Sequence, residues 1–277
     1  MTENTRLSAI AERYDLILCD VWGVIHNGVR ATPGVADALT RFREKGGAVV
    51  LITNAPRPAW SVKAMLDRLN VPDTVSDAIV SSGDVTRALL REREGQRMFH
   101  LGPGRDISLY EDLTFVEAGK DDADFVLCTG LYDDTTETPD DYRAMFDTLL
   151  ARKTPMLCAN PDVVVERGDT LVYCAGALAD LYEDMGGEVL TVGKPHGTIY
   201  DAAIATGEAA LGGKSVDVSR VLAIGDSVRT DLNGAAGKGI DVLFITDGIH
   251  AAENDALEKL FNDAKARPVG TAVSLAW

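Results

Sequence analysis

Short apolar runs rich in β-branched residues recur along the chain, at Leu16–Val21, Ala48–Thr53, Ala78–Ser82, Phe125–Thr129, Val221–Asp226 and Val242–Thr246. Runs this short and this apolar, closed by turn residues, predict strands buried on both faces. Between the first two lies PGVADALTRFREKGG, with apolar positions at Val35, Leu39 and Phe42 and a stop at Gly46. That is the period and the ending of an amphipathic helix. Strands alternating with helices of this length predict βαβ units, an α/β fold class and a mainly parallel sheet.

Residues 1–80 and 190–277 share a strand-then-polar-loop pattern. The middle, 84–185, has strand runs of its own at Met98–Leu101, Phe125–Thr129 and Met156–Ala159, with an acidic stretch from Asp133 to Asp141. We read it as a second α/β unit inserted into the first, which is tolerated where the ends of the insert lie close together. In open α/β sheets the ligand crevice lies beyond the carboxyl ends of the strands, so polar residues just after strands carry most interest.

Composition narrows the function. The chain has 277 residues, 27 basic against 43 acidic, for a net charge of −16. That charge repels nucleic acid and anionic membrane surfaces, so neither is an expected partner. Cys19, Cys128, Cys158 and Cys174 are widely spaced and form no CxxC pair, which fits a reducing compartment rather than a disulfide framework or a zinc site. The N-terminus lacks the basic start and apolar run of a signal peptide, and no long uncharged apolar stretch follows. A cytoplasmic location is the expectation.

Four strand-end segments hold candidate chemistry. LILCDVWGVIHNG places Asp20 at a strand tip, VVLITNAPR places Thr53 and Asn54 at another, LTVGKPHG offers Lys194, and VLAIGDSVRTDLNGA offers Asp226 and Asp231. Singly, each reads as a cap or turn residue. Together they assemble metal-binding carboxylates, a hydroxyl, an amide and one cation at one sheet edge. GEAALGGKS, by contrast, has the wrong spacing for a phosphate loop and follows a helical stretch, so it is set aside.

The order and spacing of the four segments resembles the haloacid dehalogenase-like (HAD) hydrolase superfamily, and within it class IIA, over nearly the whole chain. The resemblance implies a Rossmann-like parallel-sheet core with an inserted α/β cap domain, which Asn160-Pro161-Asp162 also suggests. It implies a phosphatase of small phosphorylated metabolites, with Asp20 as nucleophile. It implies Mg²⁺ held by Asp20, the main-chain carbonyl of Trp22, Asp226 and Asp231. Thr53, Asn54 and Lys194 would bind phosphate, Lys194 also balancing Asp20. Cap-mediated homodimers occur in this class; no seam for one is readable here.

One position departs from the pattern. Two residues after the nucleophile the family carries a second Asp, which protonates the leaving group; here Trp22 stands there. An indole donates one hydrogen bond but exchanges no proton near neutral pH. Positioned acid–base catalysis contributes about 10²–10⁴-fold, so alkyl phosphates should be poor substrates. Three readings stay open: a leaving group that needs no proton, such as the carboxylate of an acyl phosphate; replacement by His26 or His196; or a phosphometabolite-binding or regulatory module with little turnover. Carbon–halogen hydrolysis is a weaker option, given the Asp226/Asp231 pair. Arg57 is placed to reach phosphate or cap, Trp60 is expected to pack or to touch the cap, and Asp133–Asp141 to form a solvated cap face.

Overall fold

The computed structural model describes residues 4–168, 170–249, 259, 261–262 and 264–277. The elements run β1 (Leu16–Asp20), α1 (Val35–Glu44), β2 (Ala48–Thr53), α2 (Ala59–Arg68), β3 (Ala78–Ser81) and α3 (Ser82–Arg91). There follow β4 (Arg97–Leu101), β5 (Val116–Glu117), β6 (Phe125–Cys128), α4 (Arg143–Ala151), β7 (Met156–Cys158), β8 (Val164–Arg167), β9 (Thr170–Tyr173), α5 (Ala175–Asp184) and β10 (Val189–Thr191). The chain continues with α6 (Gly197–Ala210), β11 (Val221–Gly225), α7 (Asn233–Ala236), β12 (Asp241–Ile245) and β13 (Gly270–Ala272).

The first sheet is wholly parallel in the order β13-β12-β11-β1-β2-β3. Every residue of β1 and β2 is buried, which is why these runs are apolar throughout rather than alternating. Ile17, Cys19, Val49 and Leu51 pack on one face with Val35, Leu39 and Phe42 of α1. Leu16, Leu18, Val50 and Ile52 pack on the other with Ile199, Tyr200 and Ala203 of α6. Residues of a strand alternate between the faces, so each helix layer receives every second side chain. Each such Leu or Ile contributes roughly 1.5–3 kcal/mol by leaving water.

A second parallel sheet, in the order β10-β7-β6-β4-β5, is built from the intervening chain and runs to residue 191. Val126 and Cys128 face Phe146 and Leu149 of α4 and Leu178 and Tyr182 of α5. Phe125 and Leu127 face the opposite way, towards Leu90 of α3 and Leu109. The antiparallel pair β8–β9 stands apart from both sheets as a hairpin. No helix among the described residues is long and apolar enough to cross a membrane.

The chain builds the first sheet outwards from β1 in two directions, to β2 and β3 on one side and later to β11, β12 and β13 on the other. The strand order therefore reverses between β1 and β11, the kind of crevice where open α/β sheets take their ligands.

Candidate active site

Asp20 closes β1 at that reversal, with Ile52 of β2 beside it. Gly23 follows in the left-handed region, φ +86°, and a Cβ there would lie 2.1 Å from Asp226 Oδ2. Only glycine gives both the turn and room for the Asp226 carboxylate beneath it. Asp226 itself follows β11 and accepts the Ile249 N–H at 2.8 Å. The chain next makes a wide turn in which the Leu232 N–H reaches the Ser227 carbonyl, five residues back, at 3.1 Å. Turns of this width often sit at functional sites. This one folds Asp231 back so closely that a Cβ on Gly225 would lie 2.2 Å from its Cγ. Asp20, Asp226 and Asp231 are all buried and offer oxygen atoms within 4.8 Å of one another.

Lys194, 2% exposed, enters this cluster from the loop after β10. Its Nζ donates to Asp20 Oδ1 at 2.5 Å and to Asp231 Oδ1 at 2.7 Å. Asn54 holds it in place: Asn54 Oδ1 accepts the Lys194 N–H at 2.7 Å, and Asn54 Nδ2 donates to the Lys194 carbonyl at 3.2 Å and to Asp162 Oδ1 at 2.8 Å. The Asn54 side chain is thus committed to positioning the lysine. Burial pushes the Asp20 carboxyl well above its usual range; Lys194 opposes this, and Asp231 and Asp226 add to it. Burial, then Asp231, lifts Asp226 to about 7. Burial works against the charge on Lys194, but Asp20 and Asp231 outweigh it and hold the ammonium protonated. One cation against three buried carboxylates leaves the cluster short of positive charge. Its all-oxygen donor set suits a hard divalent ion such as Mg²⁺ rather than a thiolate-seeking metal.

Trp22 divides the space above these residues. Its indole N–H donates to the Glu166 carbonyl at 2.6 Å, linking the loop after β1 to β8. A cleft of about 290 Å³ on one side has Asp20, Asp226 and Asn233 in its wall, closed over by residues 162–166. A cavity of about 90 Å³ on the other is lined by Thr53, Arg57, Arg105, Asp134 and Arg167. Trp22, Asp162 and Val165 line both.

The remaining candidates make no hydrogen bond to these three carboxylates among the described residues. Thr53 is buried at the tip of β2, its Oγ1 accepting the Ala55 N–H at 3.2 Å. The Arg57 Nε donates to Asp106 Oδ1 at 2.8 Å. His26 is fully buried; its Nδ1 accepts the Gly28 N–H at 2.9 Å and its ring meets Trp22 edge-on. Burial lowers its pKa to about 4, so it is neutral near pH 7. His196 is exposed at the start of α6.

Two expectations need correction. Trp60, expected to pack or to touch the cap, is 61% exposed on α2. Asp134, expected on a solvated acidic face, is 8% exposed and accepts two bonds from Arg167, at 2.9 and 2.7 Å, and one from Arg105. Asp162, Arg105 and Arg167 also reach the two cavities without having been singled out as site residues. Only Asp162 carried a sequence signal, in Asn160-Pro161-Asp162.

Residues 17–116 match the haloacid dehalogenase-like hydrolase family and residues 191–275 the HAD-hydrolase-like family. A hydrolase of the haloacid dehalogenase-like family from Brucella suis 1330 shares 46% identity, and its crystal structure superposes with a TM-score of 0.89 over 98% of each chain. The ribonucleotide monophosphatase NagD of Escherichia coli (strain K12) is 26% identical over 244 residues, 86% of this chain and 90% of that protein. The 5'-nucleotidase YutF of Bacillus subtilis (strain 168) is 23% identical over 252 residues, 89% of this chain and 93% of that one. With strand order, strand-tip carboxylates and relatives in agreement, the chain belongs to the haloacid dehalogenase-like hydrolases, class IIA.

Proposed function

We propose that the protein is a Mg²⁺-dependent phosphatase of a small phosphorylated metabolite, working through an aspartyl phosphate on Asp20. The observation that carries this is the meeting of Asp20, Asp226 and Asp231 within 4.8 Å at the strand-order reversal, with Lys194 bridging two of them. Phosphatases and nucleotidases among the relatives support the reaction class. Residues 1–80 and the chain after β10 form the catalytic core in this reading, and the chain from 84 through β10 the cap that shapes the substrate's surroundings, a few residues beyond the expected 185 because β10 pairs with β7.

Asp20 attacks phosphorus; its O–P bond forms as the bond to the leaving oxygen breaks, and that oxygen departs with the electron pair. Water then attacks the same phosphorus, the Asp20 O–P bond breaks, and inorganic phosphate leaves a restored carboxylate. Lys194 opposes the upward push on the Asp20 carboxyl and offsets the negative charge of the phosphoryl oxygens, while the Thr53 hydroxyl and the main-chain amide of Asn54 donate to them. Asp20, the main-chain carbonyl of Trp22, Asp226 and Asp231 would hold Mg²⁺, which supplies further charge compensation when bound.

Trp22 supplies no proton, and its N–H is already engaged by Glu166. Leaving groups that are stable as anions are therefore favoured, carboxylates (pKa about 4) and phenolates ahead of simple alkoxides. Phosphate release should be measured with Mg²⁺ across aryl, acyl and alkyl phosphates for wild type and Asp20→Asn together. Release from the first two classes that disappears in the variant is the expected result; none from any class would defeat the proposal. The engaged indole also favours a second reading, a phosphometabolite-binding module with little turnover. Tight binding by calorimetry without product after prolonged incubation would select it.

A further inference from the structure

The cavity of about 90 Å³ beyond Trp22 runs against the charge of the molecule. In a chain of net charge −16, three guanidiniums, Arg57, Arg105 and Arg167, line one small space together with the Thr53 hydroxyl. Two carboxylates answer them. Asp106, 3% exposed, takes Arg57, and Asp134 takes both Arg105 and Arg167. The third carboxylate in the wall, Asp162, is bonded to Asn54 and to no guanidinium among the described residues. Only two carboxylates are thus ion-paired to the three guanidiniums. Arg57 donates only through Nε, and its Nη1 and Nη2 have no protein acceptor among the described residues. Arginine forks of this kind recognise carboxylate and phosphoryl oxygens in preference to neutral groups.

Position adds to charge. Thr53 is at the tip of β2, next to the strand that carries Asp20, yet it opens on this cavity, whose wall does not include Asp20. In-line displacement sends the leaving group away from the nucleophile. We propose that this cavity receives the leaving group and selects phosphorylated substrates that carry a second anionic group, a carboxylate or a second phosphoryl. The proposal rests on the phosphatase reading and names the substrate class for it.

Three aryl probes of matched size and phenolate leaving group test it: 4-carboxyphenyl phosphate, 1,4-phenylene bisphosphate and the neutral 4-(hydroxymethyl)phenyl phosphate. A charge-assisted hydrogen bond typically shifts affinity about ten- to a hundredfold. Wild type should show kcat/KM at least about tenfold higher for one or both anionic probes than for the neutral one. Preference for the carboxylate alone or the bisphosphate alone identifies which anion the site takes. In Arg57→Gln and Arg105→Gln that ratio should fall towards one. Should Arg57→Gln fail to fold with Asp106 left buried and unpaired, Arg105→Gln carries the test, since Arg105 is 46% exposed. Equal kcat/KM for all three probes in wild type, or a ratio unmoved in a folded Arg105→Gln, overturns the proposal. Absence of phosphate release from these probes and from p-nitrophenyl phosphate would instead defeat the phosphatase reading. Calorimetric binding of the same probes then decides the cavity's role: tighter binding of an anionic probe that is lost in Arg105→Gln supports it, and equal binding refutes it.

Discussion

The two spaces on either side of Trp22 are built by opposite rules. The larger cleft takes its chemistry from strand tips: Asp20 ends β1 and Asp226 follows β11, so sheet hydrogen bonding alone brings their backbones together. The smaller cavity takes its chemistry from outside the first sheet, with Arg57, Arg105 and Asp134 on connecting segments and Arg167 at the end of β8; Asp134 pairs with Arg105 and Arg167, and Arg57 with Asp106. The first concentrates carboxylates and needs a cation; the second concentrates guanidiniums and suits an anion. A rigid sheet edge fixes the reacting groups, and variable loops are free to set what surrounds them.

Breaking the strand-tip cluster should have the largest effects. Asp20→Asn removes the nucleophile and should lower phosphate release at least about 10³-fold, measured under saturating Mg²⁺ with the fold verified by circular dichroism. A loss of less than tenfold would show that Asp20 is not the attacking group. Lys194→Met leaves three buried carboxylates with no neighbouring ammonium. Removing one partner of a buried ion pair costs about 3–5 kcal/mol, so chemical denaturation without divalent ions should show a loss of that order. Added Mg²⁺ should restore more stability to this variant than it adds to wild type.

The partition itself can be sharpened next. Trp22→Asp restores a proton donor two residues after the nucleophile and should raise alkyl-phosphate hydrolysis by about 10²-fold, the low end of acid–base catalysis, because the bond to Glu166 is lost with the indole. No gain in a folded, metal-binding variant would mean that proton supply does not limit turnover. The smallest effect concerns the second sheet. Burial lowers the pKa of His100 to about 4, against an ordinary value of 6.5. The folded protein keeps this imidazole neutral while the unfolded chain protonates it, so its contribution to stability is complete above about pH 6.5 and declines as pH falls towards 4. His100→Gln should therefore lose less stability than wild type between pH 7 and pH 5 in urea titrations; an identical loss would contradict that assignment.

These differences also explain what could be read in advance. Both faces of β1 and β2 are covered, so their sequences are continuous apolar runs, and a polar residue ending such a run has few places to go but the sheet edge. Asp20, Thr53 and Asp226 are legible for that reason. Asp231 and Lys194 lie on turns a few residues further on, and Gly225 and Gly193 mark the close approaches there. The arginine cavity has no comparable signal. Asp134 sits in an acidic run that reads as solvated, and nothing local shows that Arg105, 29 residues away, and Arg167, 33 away, converge on it. The Trp22–Glu166 bond spans 144 residues, so the substitution at position 22 was visible while its partner was not.

The central claim is that Asp20, Asp226 and Asp231 form one divalent-cation site. Titration with Mn²⁺, followed by the loss of its free-ion electron paramagnetic resonance signal and by competition with Mg²⁺, tests this without any substrate. The expected result is one ion per chain in wild type, displaced by Mg²⁺, with affinity at least about tenfold weaker in Asp226→Asn. No stoichiometric binding in wild type, or equal affinity in the variant, would contradict it.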